Sequence, residues 1–329
     1  MYQPEAYTMA LLFMIISMIC WGSWANTQKL TTGFPFQLFY WDYVIGVILA
    51  SLVWGFTLGS VHGGVTAFLP NLLQASSPKI ALALAGGIVF NVANLLLVAA
   101  IAVAGMAVAF PIGIGLALIV GVVLNYLIQP RGNPLLLFGG VALVLIAILI
   151  DAVAYKRREG NNVVSARGVR LSVVSGILMG LFYPFVASST IGESALGPYS
   201  VSLVFAVGVA VCAIPVNAWL MRHPLTGEHP VSMAKYRAAP SHFHFWGILG
   251  GAIWCTGAVS NFVASNTHIV GPAISYAIGQ GATMVSAAWG VFIWREFANA
   301  PTNSRRLVPL MFVFFVVGLG VIATAPLFG

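Results

Sequence analysis

The stretch at 20–30, CWGSWANTQKL, follows an apolar run from Met9 to Ile19 and sets Trp21, Trp24 and Gln28 at i, i+3 and i+7. On a helix these three share one face. Two indoles and a carboxamide make a wall suited to a sugar or a flat heterocycle: the aromatic faces pack against C–H groups, and the N–H and amide groups satisfy hydroxyls or carbonyls. The competing reading is an aromatic belt at a membrane interface. Both tryptophans precede the polar end of the run at Lys29, which favours the wall.

Other polar side chains fall inside apolar stretches. Asn91 and Asn94 share a helical face, Asn261 lies in a later apolar run, Gln280 sits within a glycine-rich element, and Tyr183-Pro184 interrupts another run. Such groups either line a cavity or hydrogen-bond a neighbouring helix as interhelical glue. Pro111, with Gly113 and Gly115, is placed to thin or kink its helix. Asp42, in FYWDYVIG, is the most deeply embedded acid, and Lys29 stands just before it across a short turn. A lone charge in hydrocarbon costs several kcal/mol unless paired or hydrated, so two readings stand side by side. Lys29 and Asp42 form a structural ion pair, or Asp42 takes up and releases a proton during turnover. GxSxG, HExxH, the phosphate-binding GxxxxGK[ST] and a GxGxxG in strand–helix context are all absent, so no catalytic set and no cofactor is expected. His242-x-His244 offers only two ligands to a metal, and no metal is expected either.

The elements that must position these groups follow from composition. Of 329 residues, 60% are hydrophobic and 6% charged, and the mean hydropathy is +0.97. Soluble domains carry about 25% charged residues, so the lipid bilayer is the expected surrounding. Spans of about 20 apolar residues read near 9–28, 38–59, 81–103, 106–128, 134–154, 171–190, 200–221, 246–265, 271–294 and 308–327, with a tight turn at Ala104-Gly105. The first reads as a retained helix, since no basic segment precedes it. Cys20, Cys212 and Cys255 read as small buried hydrophobes. Ten spans leave twelve basic residues in the loops of one side and only Lys79 and Arg131 on the other. Basic loops stay cytoplasmic, so both termini are expected outside a cell (inner or plasma) membrane and the loop 155–170 inside. The net charge of +7 is thereby topological, and no nucleic-acid partner is expected.

AFPIGIG at 109–115 overlays SYAIGQG at 275–281 at an offset of 166, and Gly86-Gly87 overlays Gly250-Gly251 at an offset of 164. This divides the chain into a first five-span repeat at 1–154, a cytoplasmic linker at 155–170 and a second five-span repeat at 171–329. An odd number of spans per half inserts the second half upside down, and such inverted repeats rock around a central site.

CWGSWANTQKL, FYWDYVIG and GGIVFNVANLLLVAAIAVAGMAVAFPIGIGLALIVG together resemble the drug/metabolite transporter superfamily. The likeness is greatest to the branch of glucose/ribose porters, rhamnose–proton symporters and plant ureide permeases. The resemblance implies an all-α fold of ten transmembrane helices in two inverted five-helix repeats, and uptake of small polar, mostly uncharged solutes, commonly with protons. It does not fix the substrate. Plant ureide permeases have a much longer central loop with a nucleotide-binding-like motif, which 155–170 lacks, so nucleotide regulation is not carried over. The expectation is a secondary-active carrier of a small neutral solute, a sugar or a ureide/purine-derived compound, coupled to protons. Its site would be built from Trp21, Trp24, Gln28, Asn91, Asn94, Asn261 and Gln280, with Asp42 for the proton. The alternatives are an exporter of drugs or hydrophobic metabolites, a membrane-embedded enzyme, for which no nucleophile or metal cluster is found, and a receptor that binds without flux. Substrate, coupling ion, direction and oligomeric state are not written in the residues.

Overall fold

The computed structural model describes residues 1–159, 165–224 and 229–328. In hydrocarbon every backbone N–H and C=O must be satisfied within its own segment, so apolar runs of this length become helices. Eleven helices carry the fold: α1 (Tyr7–Ser23), α2 (Phe36–Phe56), α3 (Ser77–Ala104), α4 (Met106–Ile128), α5 (Pro134–Glu159), α6 (Ala166–Ser189), α7 (Pro198–Arg222), α8 (Ser241–Ser265), α9 (Gly271–Gly279), α10 (Ala282–Ala288) and α11 (Leu307–Thr324). Short helices cover Asn26–Lys29, Phe68–Gln74, Met233–Arg237 and Thr302–Arg305. Among the described residues there is no strand, and nine helices are long and apolar enough to cross a membrane. The chain is a multi-pass membrane protein.

The expected span at 271–294 is the one outside that set. It is built from α9, a break at Gln280 and Gly281, α10, and a π-turn over Trp289–Ile293. Pro111 and Pro184, by contrast, sit inside continuous helices. Tyr183-Pro184 therefore does not interrupt α6. The helix that carries Pro111, Gly113 and Gly115 is continuous, and the backbone break falls at Gln280 and Gly281, between α9 and α10. The turn at Gly105 is a single residue between α3 and α4, at φ 78°, a left-handed conformation that glycine adopts without a Cβ clash. Of the expected linker, 160–164 lies outside the described residues.

Helices pair in a regular way. The most extensive contacts are α3 with α6, α4 with α6, α5 with α11, α2 with α8, α3 with α7, and α1 with α8. The α3/α7 and α2/α8 crossings are both glycine-lubricated. A Cβ on Gly87 would collide with the Phe205 carbonyl, and one on Gly208 with that of Leu84. A Cβ on Gly251 would collide with the Tyr43 carbonyl, and one on Gly46 with that of Ile248. Backbones this close gain dispersion contacts that no bulkier pair allows, which matters where lipid removes the hydrophobic drive between helices.

Candidate functional site

α1 stops at Ser23, turns through Trp24 and Ala25, and resumes as Asn26–Lys29. The turn is held by Thr27, whose hydroxyl donates to the Trp24 carbonyl at 2.8 Å. On its other side, Trp289 Nε1 donates to Ser23 Oγ at 2.9 Å and Trp294 Nε1 to Asn26 Oδ1 at 2.6 Å, clamping this segment onto the π-turn. The remaining face, Trp21, Trp24 and Gln28, looks into a cavity of about 350 Å³.

Trp254 of α8, Phe90 and Asn94 of α3, Phe110 of α4, Phe182 of α6, and Gln280 with Thr283 at the α9–α10 break complete the wall. Trp21 stacks on Trp254 with centroids 6.0 Å apart and planes 17° off parallel. Aromatic faces dominate, three carboxamides reach the space, and among the described residues the only charged side chain on it is Lys29. Gln28, Phe36 and Val98 are shared with a wider cavity of about 700 Å³ that runs on past His229 and Lys235. The two cavities are therefore contiguous, with Gln28 at their junction.

Five of the expected solute-binding residues, Trp21, Trp24, Gln28, Asn94 and Gln280, line this one cavity. Two do not. Asn91 lies behind it, fully buried, accepting from Tyr40 OH at 2.8 Å, while Asn94 Nδ2 donates to the same hydroxyl at 3.4 Å. Asn261 is the centre of a packed polar knot: its Nδ2 donates to Ser17 Oγ at 3.0 Å and to the Ser275 carbonyl at 2.9 Å, and its Oδ1 accepts from Tyr183 OH at 2.5 Å. That knot fixes the start of the broken helix against α1, α6 and α8. Its hydrogen bonds are already used within the protein.

The charged pair expected between Lys29 and Asp42 is not formed. Asp42 lies on the face of α2 that packs on α8, where a Cβ on Gly247 would overlap its own. Its carboxylate accepts from Tyr236 OH at 2.5 Å and meets His244 Nδ1 at 2.8 Å. Tyr236 belongs to the short helix Met233–Arg237, and burial, then the hydrogen bond to Asp42 and its charge, push the phenol's pKa up. Lys29 instead meets Glu296 Oε1 at 2.8 Å. Tyr155 OH donates to Glu296 Oε2 at 2.8 Å and Arg158 lies 3.1 Å from the same oxygen. Burial alone would raise the Glu296 pKa, but the hydrogen bonds from Lys29, Tyr155 and Arg158 outweigh it and hold it below the usual value. One carboxylate thus joins the ends of the first span, α5 and the π-turn.

Phe90, Trp254, Phe182, His244, Tyr236 and Glu296 were not singled out from sequence as site residues. For Trp254 a signal exists: it follows Gly250-Gly251 as Phe90 follows Gly86-Gly87, at the same offset of 164. Tyr236, in the short segment before α8, carries none, and His244, in the first turn of α8, stood out only as half of His242-x-His244, with nothing in the spacing to join it to Asp42. No group of three or more His, Cys, Asp or Glu that could hold a metal occurs among the described residues.

Comparison with known proteins agrees with the resemblance. The ureide permease family model matches residues 39–167. Ureide permease 1 of Arabidopsis thaliana is 24% identical over 98% of both chains, and ureide permease 3 of the same plant is 30% identical over 52% of this chain and 50% of that protein. A protein of Listeria innocua carried under a sugar-uptake name is 23% identical over 74% of this chain and 75% of its own. One crystal structure of another protein superposes with a TM-score of 0.58 over 95% of each chain, at 16% identity, which speaks to the fold alone. The chain is similar to the ureide permease branch of transporters, and its curated relatives are named for transport rather than for a reaction.

Proposed function

We propose that this protein is a secondary-active transporter of a small, neutral, planar polar solute, a ureide or purine-derived compound. The observation that carries the reading is the 350 Å³ cavity walled by indoles and phenyl rings into which Gln28, Asn94 and Gln280 project. A ureide presents a flat face to stack and an edge of alternating N–H and C=O groups, each of which a carboxamide can complement. The names of the plant relatives support the ureide. A sugar is the second reading, supported by the Listeria relative's name and by the same aromatic-plus-amide chemistry. Export of a hydrophobic drug is disfavoured, since such cargo would offer no partner to the carboxamides of Gln28 and Gln280 on the cavity wall.

Transport proceeds by alternating access between two five-helix halves, 1–154 and 171–329, inserted with opposite orientation and joined by the cytoplasmic linker 155–170. The packing supports this: exchanging each helix for the one five spans on turns α3/α7 into α8/α2 and α3/α6 into α8/α1, while α5/α11 maps onto itself. Counting the broken α9–α10 as the ninth span gives ten. Both termini face outward in this arrangement, and the wider cavity past Lys235 faces the cytoplasm. Asp42, hydrogen-bonded by Tyr236 and His244 one layer from that cavity, carries the coupling proton.

The test is counterflow in proteoliposomes. Preloaded allantoin is expected to draw in labelled allantoin, with glucose, rhamnose and ribose as competitors. Competition by a sugar alone transfers the assignment to sugars, and absence of exchange with either class refutes it.

A further inference from the structure

A third cavity, of about 420 Å³, lies on the outer surface between the π-turn and α11, away from the transport cavity. Its apolar part includes Phe292, Val308, Pro309 and Phe312, and two guanidinium groups, Arg295 and Arg305, stand on the same wall. Phe292 and Phe312 stack with centroids 5.9 Å apart. The apolar floor runs into an exposed apolar face: Phe292 is 66% exposed, and Val313 and Val316 further along α11 are 57% and 60% exposed.

The two arginines are available. Among the described residues neither has an ion-pair or hydrogen-bond partner through its side chain. Arg295 adopts φ 51°, a left-handed conformation that is costly for a residue with a Cβ. That turn sends neighbouring side chains apart, so that Glu296 goes inward to Lys29, Tyr155 and Arg158 while Arg295 is left on the outer groove.

We propose that this groove binds an anionic glycerophospholipid, its phosphate held by Arg295 and Arg305 and an acyl chain laid along Phe292 and Phe312. Paired guanidiniums match a phosphate in charge and in hydrogen-bond geometry. Basic pockets between membrane helices at the headgroup level are suited to acidic lipids. A zwitterionic lipid would bring its own cation to a doubly cationic wall. Bound there, the lipid braces the π-turn from outside, on the side opposite the Glu296 cluster.

Native mass spectrometry of the purified protein tests this with phosphatidylglycerol and phosphatidylcholine of identical acyl chains, and with inorganic phosphate as a third arm. Phosphatidylglycerol is expected to be retained in preference to phosphatidylcholine, with no retention of phosphate alone. Each guanidinium near the surface is worth about five-fold in acidic-lipid affinity, so R295Q/R305Q should weaken phosphatidylglycerol retention by roughly twenty-five-fold. R305Q alone, which leaves the left-handed backbone at 295 untouched, should lose about five-fold. The control R167Q/R170Q, at the start of α6 on the same side, should lose nothing. Equal retention of the two lipids, an unchanged double variant, equal loss in the control, or binding of free phosphate would overturn the proposal. The readout is lipid, so its failure leaves the transport assignment standing.

Discussion

The rings of Phe90 and Trp254 meet with centroids 4.3 Å apart, and each stands three residues after a Gly-Gly pair, 164 positions from the other. The glycines bring the backbones of α3/α7 and α8/α2 together, and the aromatics one turn further on close over the space between them. Phe90 and Trp254 form the shared back wall of the cavity, with Trp21 stacked on the second.

Trimming that wall should weaken binding before it weakens folding. Trp254→Phe keeps an aromatic face but loses the second ring, and aromatic contacts of this kind contribute about 0.5–1.5 kcal/mol. An increase of about three- to ten-fold in KM for allantoin, with little change in the maximal rate, is expected in proteoliposome uptake. Trp254→Ala also opens a void in the core and should lower the melting temperature.

The carboxamides should set specificity. Gln280→Leu and Gln28→Leu remove one hydrogen-bonding group each, worth about 1 kcal/mol, and should raise KM by about five-fold while improving the relative uptake of less polar analogues. Asn261→Ala offers the contrast. Its amide is used within the protein, so it should reduce thermal stability and folded yield, with transport lost only in proportion. A selective KM effect there, without destabilisation, would bring Asn261 back to the site.

The class of protein and nearly all of its helices were legible because apolar length and periodicity determine them. The cavity wall was legible in part. Trp21, Trp24 and Gln28 share a face that local spacing alone reveals. Whether Asn91 or Asn94 faces the space depends on how α3 is rotated against α2, and Tyr40 decides that. The charges were the least legible. Lys29 is thirteen residues from Asp42 in the chain but is joined to Glu296, 267 residues away, and Asp42 to His244, 202 away. Ion pairs among helix ends follow from tertiary packing, which sequence proximity does not encode. The break at Gln280 is likewise not decided by local pattern: Gln280 shares its place in that pattern with Ile114, yet α4 runs unbroken through Ile114 while the helix opens at Gln280.

The two glycine crossings should fail alike. Gly87→Ala and Gly251→Ala each push a methyl group into a facing carbonyl, Phe205 or Tyr43. Overpacking of this kind costs about 1–3 kcal/mol. Both variants should melt lower in detergent by similar amounts, whereas Gly139→Ala, with open space at its Cβ, should melt like the parent protein. A large asymmetry between the first two would argue against equivalent halves.

Asp42→Asn keeps an oxygen to accept from Tyr236 but removes the ionisable carboxyl on which the proposed proton coupling rests. Uptake driven by an imposed pH gradient should fall to the equilibrium level, while counterflow without a gradient persists. His244→Gln should shift the pH dependence of driven uptake without abolishing exchange. Full accumulation by the Asp42→Asn protein would reassign the coupling group.

Glu296 makes a prediction for stability against pH. Its folded pKa lies below the ordinary 4.5, so between the two values the unfolded chain binds a proton that the folded protein does not. The stabilisation from its bonds to Lys29, Tyr155 and Arg158 is therefore complete above about pH 4.5 and is lost as pH falls through the folded value. Glu296→Gln cannot titrate and offers one neutral acceptor oxygen where the carboxylate offered two charged ones to Lys29, Tyr155 and Arg158, so it should melt lower than the parent at pH 7. Its melting temperature should then converge with the parent's as pH is lowered below 4.5. High salt should narrow the difference at pH 7 only slightly, because the carboxylate is half-buried and poorly screened. If the gap at pH 7 were equally wide at pH 3, the carboxylate's charge would have no part in tying the helix ends together, and packing of Tyr155 and Trp294 around it would have to account for the whole effect.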